Sequence, residues 1–314
     1  MLLLTEADVR ALLPMRTAID LVAAAFERLR KGESRNHPRR RVLLPTGSVL
    51  HYMAAADGAY FGAKIYSTHP KHGAHFLFLL YGAADARPLA LFEANALGQI
   101  RTGAASGYAT RLLARDGAVI LGLIGTGFQA RSQLEAMLAV RPIRLVRVWS
   151  RSEERRRKFA DEMARACAVE VKAADSAERA VRGADIIVTA TTARDPVLEA
   201  EWIAPGAHIN AMGSNQAQRR ELPGDLIARA GLIAVDSLEQ ARLESGDLIL
   251  ALDETGWKDP KIVELKDVAR RPSPEAITLF KSNGLAVEDV VAAGYVYERA
   301  SAERRGKQIP VFRS

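Results

Sequence analysis

The sequence predicts an α/β protein: a Rossmann-type parallel-sheet domain joined to an α+β domain built on an antiparallel sheet. Three observations lead there. A glycine loop, Gly125-Thr126-Gly127-Phe128-Gln129-Ala130, stands directly between an apolar strand pattern and an amphipathic helix pattern. After it, strands of buried type alternate with helices, the rhythm of right-handed βαβ crossovers. Before it, short alternating or apolar runs are separated by Gly, Pro and Asp, as in an antiparallel sheet. A length of 314 residues, at roughly 150 residues per domain, also gives two domains.

The first thirty residues read as helix. Thr5 with Asp8 three residues on forms a capping pattern, and after Pro14 the apolar positions Ile19, Val22, Ala23, Phe26 and Leu29 recur at helical spacing until Gly32. Over 41–92 the runs RVLLP, VLHYMAA, YFGAKIYS, HFLFLLYGA and PLALFEA read as strands. Residues 101–115 return to helix, rich in Ala and small enough to pack closely on a neighbour. Beyond Asp116-Gly117 come AVILGLIG, FQARSQLEAMLAV, RLVRVWS, SEERRRKFADEMARA, VEVK, SAERAVRG and ADIIVTATT, strand and helix in turn. Further strands at 207–212 and 232–236 extend the parallel sheet. A final helix over 286–305 follows Gly284 and is expected to return to the N-terminal domain.

Composition narrows the function classes. With 48% apolar and 26% charged side chains the chain has ample core for a globular protein. Its net charge of +7 comes from short scattered bursts, Arg39-Arg40-Arg41, Arg155-Arg156-Arg157, Arg219-Arg220 and Arg304-Arg305. They form no single stripe, so no nucleic-acid partner is expected; the surplus suits anionic substrates or phosphates, and a solvated basic surface produces it as well. No apolar run approaches the roughly 18 residues of a membrane span, and the start MLLLTEADVR places Glu6 and Asp8 where a signal peptide is apolar. A cytoplasmic protein with no membrane partner is the expectation. The lone Cys167 has no internal partner, and no Cys/His cluster shows zinc spacing, so neither disulfide nor structural metal is expected.

The glycine loop reads as a dinucleotide site. Gly125 permits the tight turn, Gly127 lets a pyrophosphate approach the backbone, and Ala130 lets the following helix sit near the sheet. The helix N-terminus offers free N–H groups and positive dipole to the phosphates. Thr126, Phe128 and Gln129 complete the loop, and Thr189 and Thr191, at the end of a later strand, are further candidates to line the cofactor. Specificity for the adenine ribose is read at the end of the strand 144–150, where an NAD-binding chain usually places Asp or Glu. Here it reads Ser150-Arg151-Ser152. Hydroxyl plus guanidinium suits a 2′-phosphate, so NADP(H) is expected to be preferred, with NAD(H) possible and an Arg that merely stacks on adenine as the bland alternative.

Several strings, in order along almost the whole chain, resemble the ornithine cyclodeaminase and mu-crystallin family. They are Phe61-Gly62-Ala63-Lys64 leading to Thr68-His69-Pro70, Gln99-Ile100-Arg101-Thr102-Gly103-Ala104-Ala105-Ser106, Gly125-Thr126-Gly127, Asn210-Ala211-Met212-Gly213-Ser214-Asn215 followed by Arg220-Glu221-Leu222, and Phe280-Lys281-Ser282-Asn283-Gly284 leading to Glu288-Asp289. The resemblance implies a substrate-binding and dimerisation domain of 1–116 with 285–314, a dinucleotide-binding domain of 117–284, and a homodimer formed through the N-terminal sheet. It also implies a small amino- or imino-acid substrate that exchanges hydride at its α-carbon, Arg41 and Arg101 holding the carboxylate, and Lys64 on a strand edge facing the nicotinamide as acid/base or polarising the nitrogen. The residues read alone agree in part. An Arg101 that begins a helix adds dipole to guanidinium, and a Lys64 among Phe61, Ile65 and Tyr66 is desolvated. Arg39 and Arg40 compete with Arg41 for its role. His51 falls where the cyclodeaminases have a Glu, and is either a substrate-binding residue or a hydrogen-bonded core histidine.

One departure bears on mechanism. Where cyclodeaminases and the related alanine dehydrogenases have an Asp after the Gly of the fifth strand, this chain has Asn215, then Gln216-Ala217-Gln218-Arg219. An Asp accepts a proton or activates water and an Asn does not, so Asn215 is kept as a catalytic-site candidate that hydrogen-bonds the substrate nitrogen or the nicotinamide carboxamide, with a turn-capping Asn as the bland alternative. Ammonia loss from ornithine needs such a base; reduction of a preformed imine does not. The expectation is therefore an NAD(P)H-dependent reductase of a small, cyclic imino acid such as pyrroline-2-carboxylate or piperideine-2-carboxylate. The alternatives are ornithine cyclodeaminase proper, an amino-acid dehydrogenase, and a non-catalytic NADPH- and ligand-binding protein.

Overall fold

The computed structural model describes residues 1–311. Its first elements are β1 (Leu2–Leu4), α1 (Glu6–Leu12), α2 (Met15–Lys31), β2 (Arg35–Asn36), β3 (Arg40–Leu43), β4 (Val49–Asp57), β5 (Tyr60–His69), β6 (Gly73–Gly82), β7 (Pro88–Glu93) and α3 (Asn95–Leu113). Next come β8 (Ile120–Ile124), α4 (Phe128–Val140), β9 (Leu145–Trp149), α5 (Glu153–Cys167), β10 (Glu170–Ala173), α6 (Ala177–Val181), β11 (Ile186–Thr189) and β12 (His208–Ala211). The last are α7 (Gly224–Arg229), β13 (Leu232–Val235), α8 (Leu238–Glu244), α9 (Gly246–Ile249), β14 (Ile262–Glu264), β15 (Thr278–Lys281), α10 (Ala286–Glu303) and β16 (Lys307–Gln308). Contacts divide the chain into two compact units: Met1–Thr102 with the segment from Gly284 on, and Gly103–Asn283.

The first unit is a sheet in the order β16-β1-β7-β6-β5-β4-β2, with β3 also on β4, antiparallel except where β1 runs parallel to β7. The expectation of helix from the first residues is corrected here. Leu2–Leu4 alternates buried and half-buried side chains and pairs with Ala90, Leu91 and Phe92 as a strand. The capping pattern is real: Thr5 accepts from the Asp8 amide, and the Asp8 carboxylate accepts from the Thr5 amide at 3.0 Å. Gly32 ends α2 in the left-handed conformation. The returning helix, α10, packs against β4, β5 and α2, and nearly every side chain of its first half is buried.

The second unit is an eight-stranded sheet, all parallel, in the order β10-β9-β8-β11-β12-β15-β13-β14. Its central strands β8, β11 and β12 are short and almost wholly buried, as βαβ units with helix cover require. The unit boundary falls within α3, after Thr102, and not at Asp116 as the change of texture implied. The reason lies in the small side chains of the second half of α3: Ser106 bonds Met212, and Thr110 bonds Met137 and accepts from Asn210. Among the described residues no helix is long and apolar enough to cross a membrane, and no group of His, Cys, Asp and Glu could hold a metal ion.

Candidate active site

In the parallel-sheet unit, β8 delivers the chain to Gly125, whose φ of 109° and close neighbours exclude a side chain: a Cβ there would stand 2.4 Å from the Ala190 carbonyl oxygen. Gly127 caps α4 without a side-chain hydrogen bond, and a Cβ on it would project into open space. Free amides at a helix start, and room above them, are what a pyrophosphate fits. Ala130 is fully buried, which lets α4 lie close to the sheet. Phe128 stands half exposed beside the loop, and Gln129 accepts from Ser132 through its backbone carbonyl at 3.0 Å.

At the end of β9 the Thr126 hydroxyl donates to Ser150 Oγ at 3.2 Å, and Ser150 Oγ donates to the Ser152 carbonyl. Ser152 caps α5 by accepting from the Arg155 amide. Arg151 is exposed, and Arg156 donates to the Ser150 carbonyl at 3.1 Å, so a second guanidinium reaches this tip. Thr189 and Thr191 are engaged by a buried carboxylate. Glu221 accepts from Thr189 Oγ1, from the Thr191 amide and hydroxyl, and from the Gly213 amide, at 2.7–2.9 Å. It thereby ties the ends of β11 and β12 together. Burial pushes the Glu221 carboxyl up, and the Lys281 charge works against that rise. Fully buried Lys281 pairs with Asp247 at 2.8 Å and donates to the Ser214 carbonyl at 2.6 Å, fixing the residue before half-buried Asn215.

In the antiparallel-sheet unit, register places two rungs on one face. Met53, Lys64, Phe78 and Phe92 form one; Arg41, His51, Tyr66 and Phe76 form the next. Lys64 thus lies on an interior strand, between β4 and β6, and not at a sheet edge. Its ammonium bonds Asp289 Oδ1 at 2.9 Å and lies 5.6 Å from the centre of the Phe76 ring. The same Asp289 oxygen accepts from Arg101 Nε at 3.2 Å, while Arg101 Nη1 pairs with Glu288 at 2.7 Å. Gly98 on α3 makes room, since a Cβ there would meet Lys64 Nζ at 2.7 Å. Lys64 is 3% exposed, and burial lowers its pKa to about 8; Asp289 opposes the fall, while Arg101 and Arg39 add to it.

The three consecutive arginines separate. Arg40 is exposed opposite Tyr52, Arg41 is half-buried opposite His51 on the Lys64 face, and Arg39 is buried, reaching Met53 Sδ at 3.8 Å and the Gly284 carbonyl at 3.5 Å. His51 bonds Thr68 at 3.0 Å and stacks on Tyr66 at 4.3 Å between ring centres. Arg101 lies about two turns inside α3, so the helix dipole expected from a helix start does not act there. Its counterions are the α10 carboxylates instead.

The family model of the ornithine cyclodeaminase/mu-crystallin family matches residues 1–304. The chain belongs to that family. Among its relatives is a Δ1-pyrroline-2-carboxylate reductase of Bacillus cereus, 43% identical over 228 residues, which are 71% of this chain and 70% of the relative. The chain is also similar to the structure of the Thermococcus litoralis Δ1-pyrroline-2-carboxylate reductase in complex with NADH and L-proline. That match has 35% identity and a TM-score of 0.94, and covers 98% of this chain and 100% of the other. An archaeal alanine dehydrogenase dimer with bound NAD matches at 32% identity and a TM-score of 0.93, with 99% of each chain covered.

Sequence reasoning found Lys64 and Arg101 of this family member but gave no role to Glu288 and Asp289. The signal that could have found them is the wholly apolar run that follows, Val290-Val291-Ala292-Ala293, which buries the acids with it. Asp247 in Gly246-Asp247-Leu248-Ile249-Leu250 carried the same mark: a buried acid in an apolar run needs a cation, and Lys281 supplies it.

Proposed function

We propose that the protein is an NAD(P)H-dependent oxidoreductase that reduces a small cyclic imino acid, of the pyrroline-2-carboxylate or piperideine-2-carboxylate kind, to the amino acid. The observation that carries it is Lys64: a buried ammonium with a pKa near 8, among arginines, is a proton donor at neutral pH. The Bacillus and Thermococcus reductases support the substrate class. When bound, the cofactor supplies hydride to the α-carbon. Arg41 and Arg101 hold the carboxylate, with buried Arg39 adding positive potential, and Lys64 gives its proton to the imine nitrogen. His51 and Tyr66 stand on the rung beside Lys64 and bound the space for the substrate ring. The test is the fall of nicotinamide absorbance on mixing enzyme, NADPH and either imino acid; oxidation of alanine by NAD+ with no reduction of either imine would favour the dehydrogenase reading.

We infer a preference for NADP(H). Arg151 and Arg156 bring two guanidinium groups to the tip of β9, and Ser152 starts α5 there. A charge-assisted contact to the 2′-phosphate contributes on the order of 1.5–3 kcal/mol, about tenfold or more in affinity. NADPH is expected to bind that much more tightly than NADH, and Arg151→Ala to narrow the gap; fluorescence titration measures both constants, and equal wild-type constants would refute the preference.

Ornithine deamination is expected to be slow. Asn215, held beside the Lys281-bound Ser214 carbonyl, supplies no base. Ammonia release from ornithine with added NAD+ or NADP+ should run at least about 10²-fold below imine reduction. Comparable rates would remove the weight placed on Asn215.

The reading includes a homodimer through the antiparallel sheet. On its other face Tyr52, Ile65 and Leu77 stand side by side in register and are 46%, 42% and 47% exposed, with Leu50 at 42% and Val42 at 47% paired on the same face. Such an apolar band marks an interface, and the archaeal relative is a dimer.

A further inference from the structure

Five charged side chains of the antiparallel-sheet unit meet in one buried place: Arg39, Lys64 and Arg101 against Glu288 and Asp289. Both carboxylates are fully buried, at the start of α10. They divide the work unequally. Glu288 pairs with Arg101 through Nη1, whereas one oxygen of Asp289 joins Lys64 Nζ to Arg101 Nε. The second Asp289 oxygen is buried with no hydrogen-bond partner, so this carboxylate is spent on that junction. A buried acid left half-satisfied is costly unless its charge is needed where it stands.

We propose that Asp289 is the positioning residue of the reduction, clamping Lys64 and Arg101 together so that the proton donor and the carboxylate anchor meet the substrate as one rigid unit. Three cations against two carboxylates leave one positive charge over, the charge that a single substrate carboxylate neutralises. Asp289 also keeps the proton on Lys64. Facing that ammonium are Asp289 from α10, Arg101 from α3 and Arg39 ahead of β3, with Glu288 behind Arg101; β4 and β6 present Met53 and Phe78 opposite it, with His51 one rung away. Of the two carboxylates only Asp289 touches it, and the two guanidinium groups push the proton off. The inference rests on the proposed function for what the clamp serves, not for whether it exists.

The test reads Lys64 directly. In protein carrying 13C-labelled lysine, the Lys64 resonance, assigned by its loss in Lys64→Met, should titrate near pH 8 in the wild type. In Asp289→Asn the midpoint should fall by about one unit or more, because an adjacent carboxylate favours the ammonium. The pH at which kcat declines should move down with it, while NADPH binding stays unchanged. Glu288→Gln should raise KM and leave the Lys64 midpoint in place. If Asp289→Asn does not fold, Asp289→Ser decides: the charge is gone, so a fall of about a unit or more supports the clamp, and an unmoved midpoint overturns it. A midpoint unmoved by Asp289→Asn overturns the role of Asp289, whereas a wild-type enzyme that reduces no cyclic imino acid contradicts the function and not the clamp.

Discussion

Lys64→Met is expected to lower kcat for imine reduction by roughly 10²–10⁴ while NADPH binds as it does to the wild type. In the proposed reaction the proton that the imine nitrogen takes up comes from Lys64, which is 3% exposed and therefore poorly replaced by solvent. Methionine keeps the length of the side chain against Phe78 and Phe76. The remaining charges tolerate the change, because Asp289 retains Arg101 and two cations then balance two carboxylates. The sign of the pH dependence follows. Reduction needs the protonated amine, so wild-type kcat should be level below pH 8 and fall about tenfold per unit above it, as the group with pKa about 8 loses its proton. The Met variant should lack that decline. Steady-state rates between pH 6 and 10 check both points, and near-normal turnover in the variant would make the lysine structural. Arg101→Ala is the weaker probe, since it removes a guanidinium from two buried carboxylates as well as the proposed substrate contact.

Lys281→Met is expected to destabilise the parallel-sheet unit by about 3–5 kcal/mol, the cost of leaving one member of a buried ion pair alone. Lys281 and Asp247 are both fully buried, and the Asp247 carboxylate lies near that of Glu221, whose charge it opposes. Without the lysine two carboxylates repel each other in the core. A double variant, Lys281→Met with Asp247→Leu, should recover only part of the loss, because Asp247 Oδ1 also accepts from the Glu221 and Leu222 amides at 2.6 and 2.9 Å. Denaturant unfolding measures both variants. A loss below about 1 kcal/mol for the single variant would show that the pair contributes little to the fold.

The parallel-sheet unit was largely legible because its code is local. Buried strands, capped helices and the glycine loop follow one another along the chain, and FQARSQLEAMLAV is α4 residue for residue. The capping pair Thr5 and Asp8 and the stop at Gly32 were legible for the same reason. Leu2–Leu4 was not, because three leucines fit a helix as well as a strand until a partner 88 residues away, Ala90, offers its edge. Arg101 was misplaced for a related reason. The helix continues back to Asn95, and the group that accepts from its first amides is the Glu6 carboxylate, 89 residues from Asn95 in the sequence.

At the candidate site, Lys64 and Arg101 stood out as charges in apolar or small-residue surroundings. Their partners did not, since Lys64 and Asp289 are 225 residues apart. Nor does the string Arg39-Arg40-Arg41 by itself say which guanidinium turns inward. Strand register decides that: Arg41 takes the His51 side, Arg40 the Tyr52 side, and Arg39, just ahead of β3, reaches the core near Met53. The position of Asn215 was read correctly as following the fifth strand of the parallel sheet, but what fixes its loop, Lys281 on the Ser214 carbonyl, depends on a strand that enters the sheet much later in the chain.

Deuterium transfer tests the central claim most directly. The enzyme is mixed with pyrroline-2-carboxylate and NADPH deuterated at the transferable C4 position, and the product is analysed by mass spectrometry and NMR. The account predicts proline with deuterium at the α-carbon, formed in step with cofactor oxidation and slowed by roughly 10²–10⁴ in Lys64→Met. Cofactor left unoxidised in the presence of wild-type enzyme and imine, or proline formed without deuterium at the α-carbon, would contradict it.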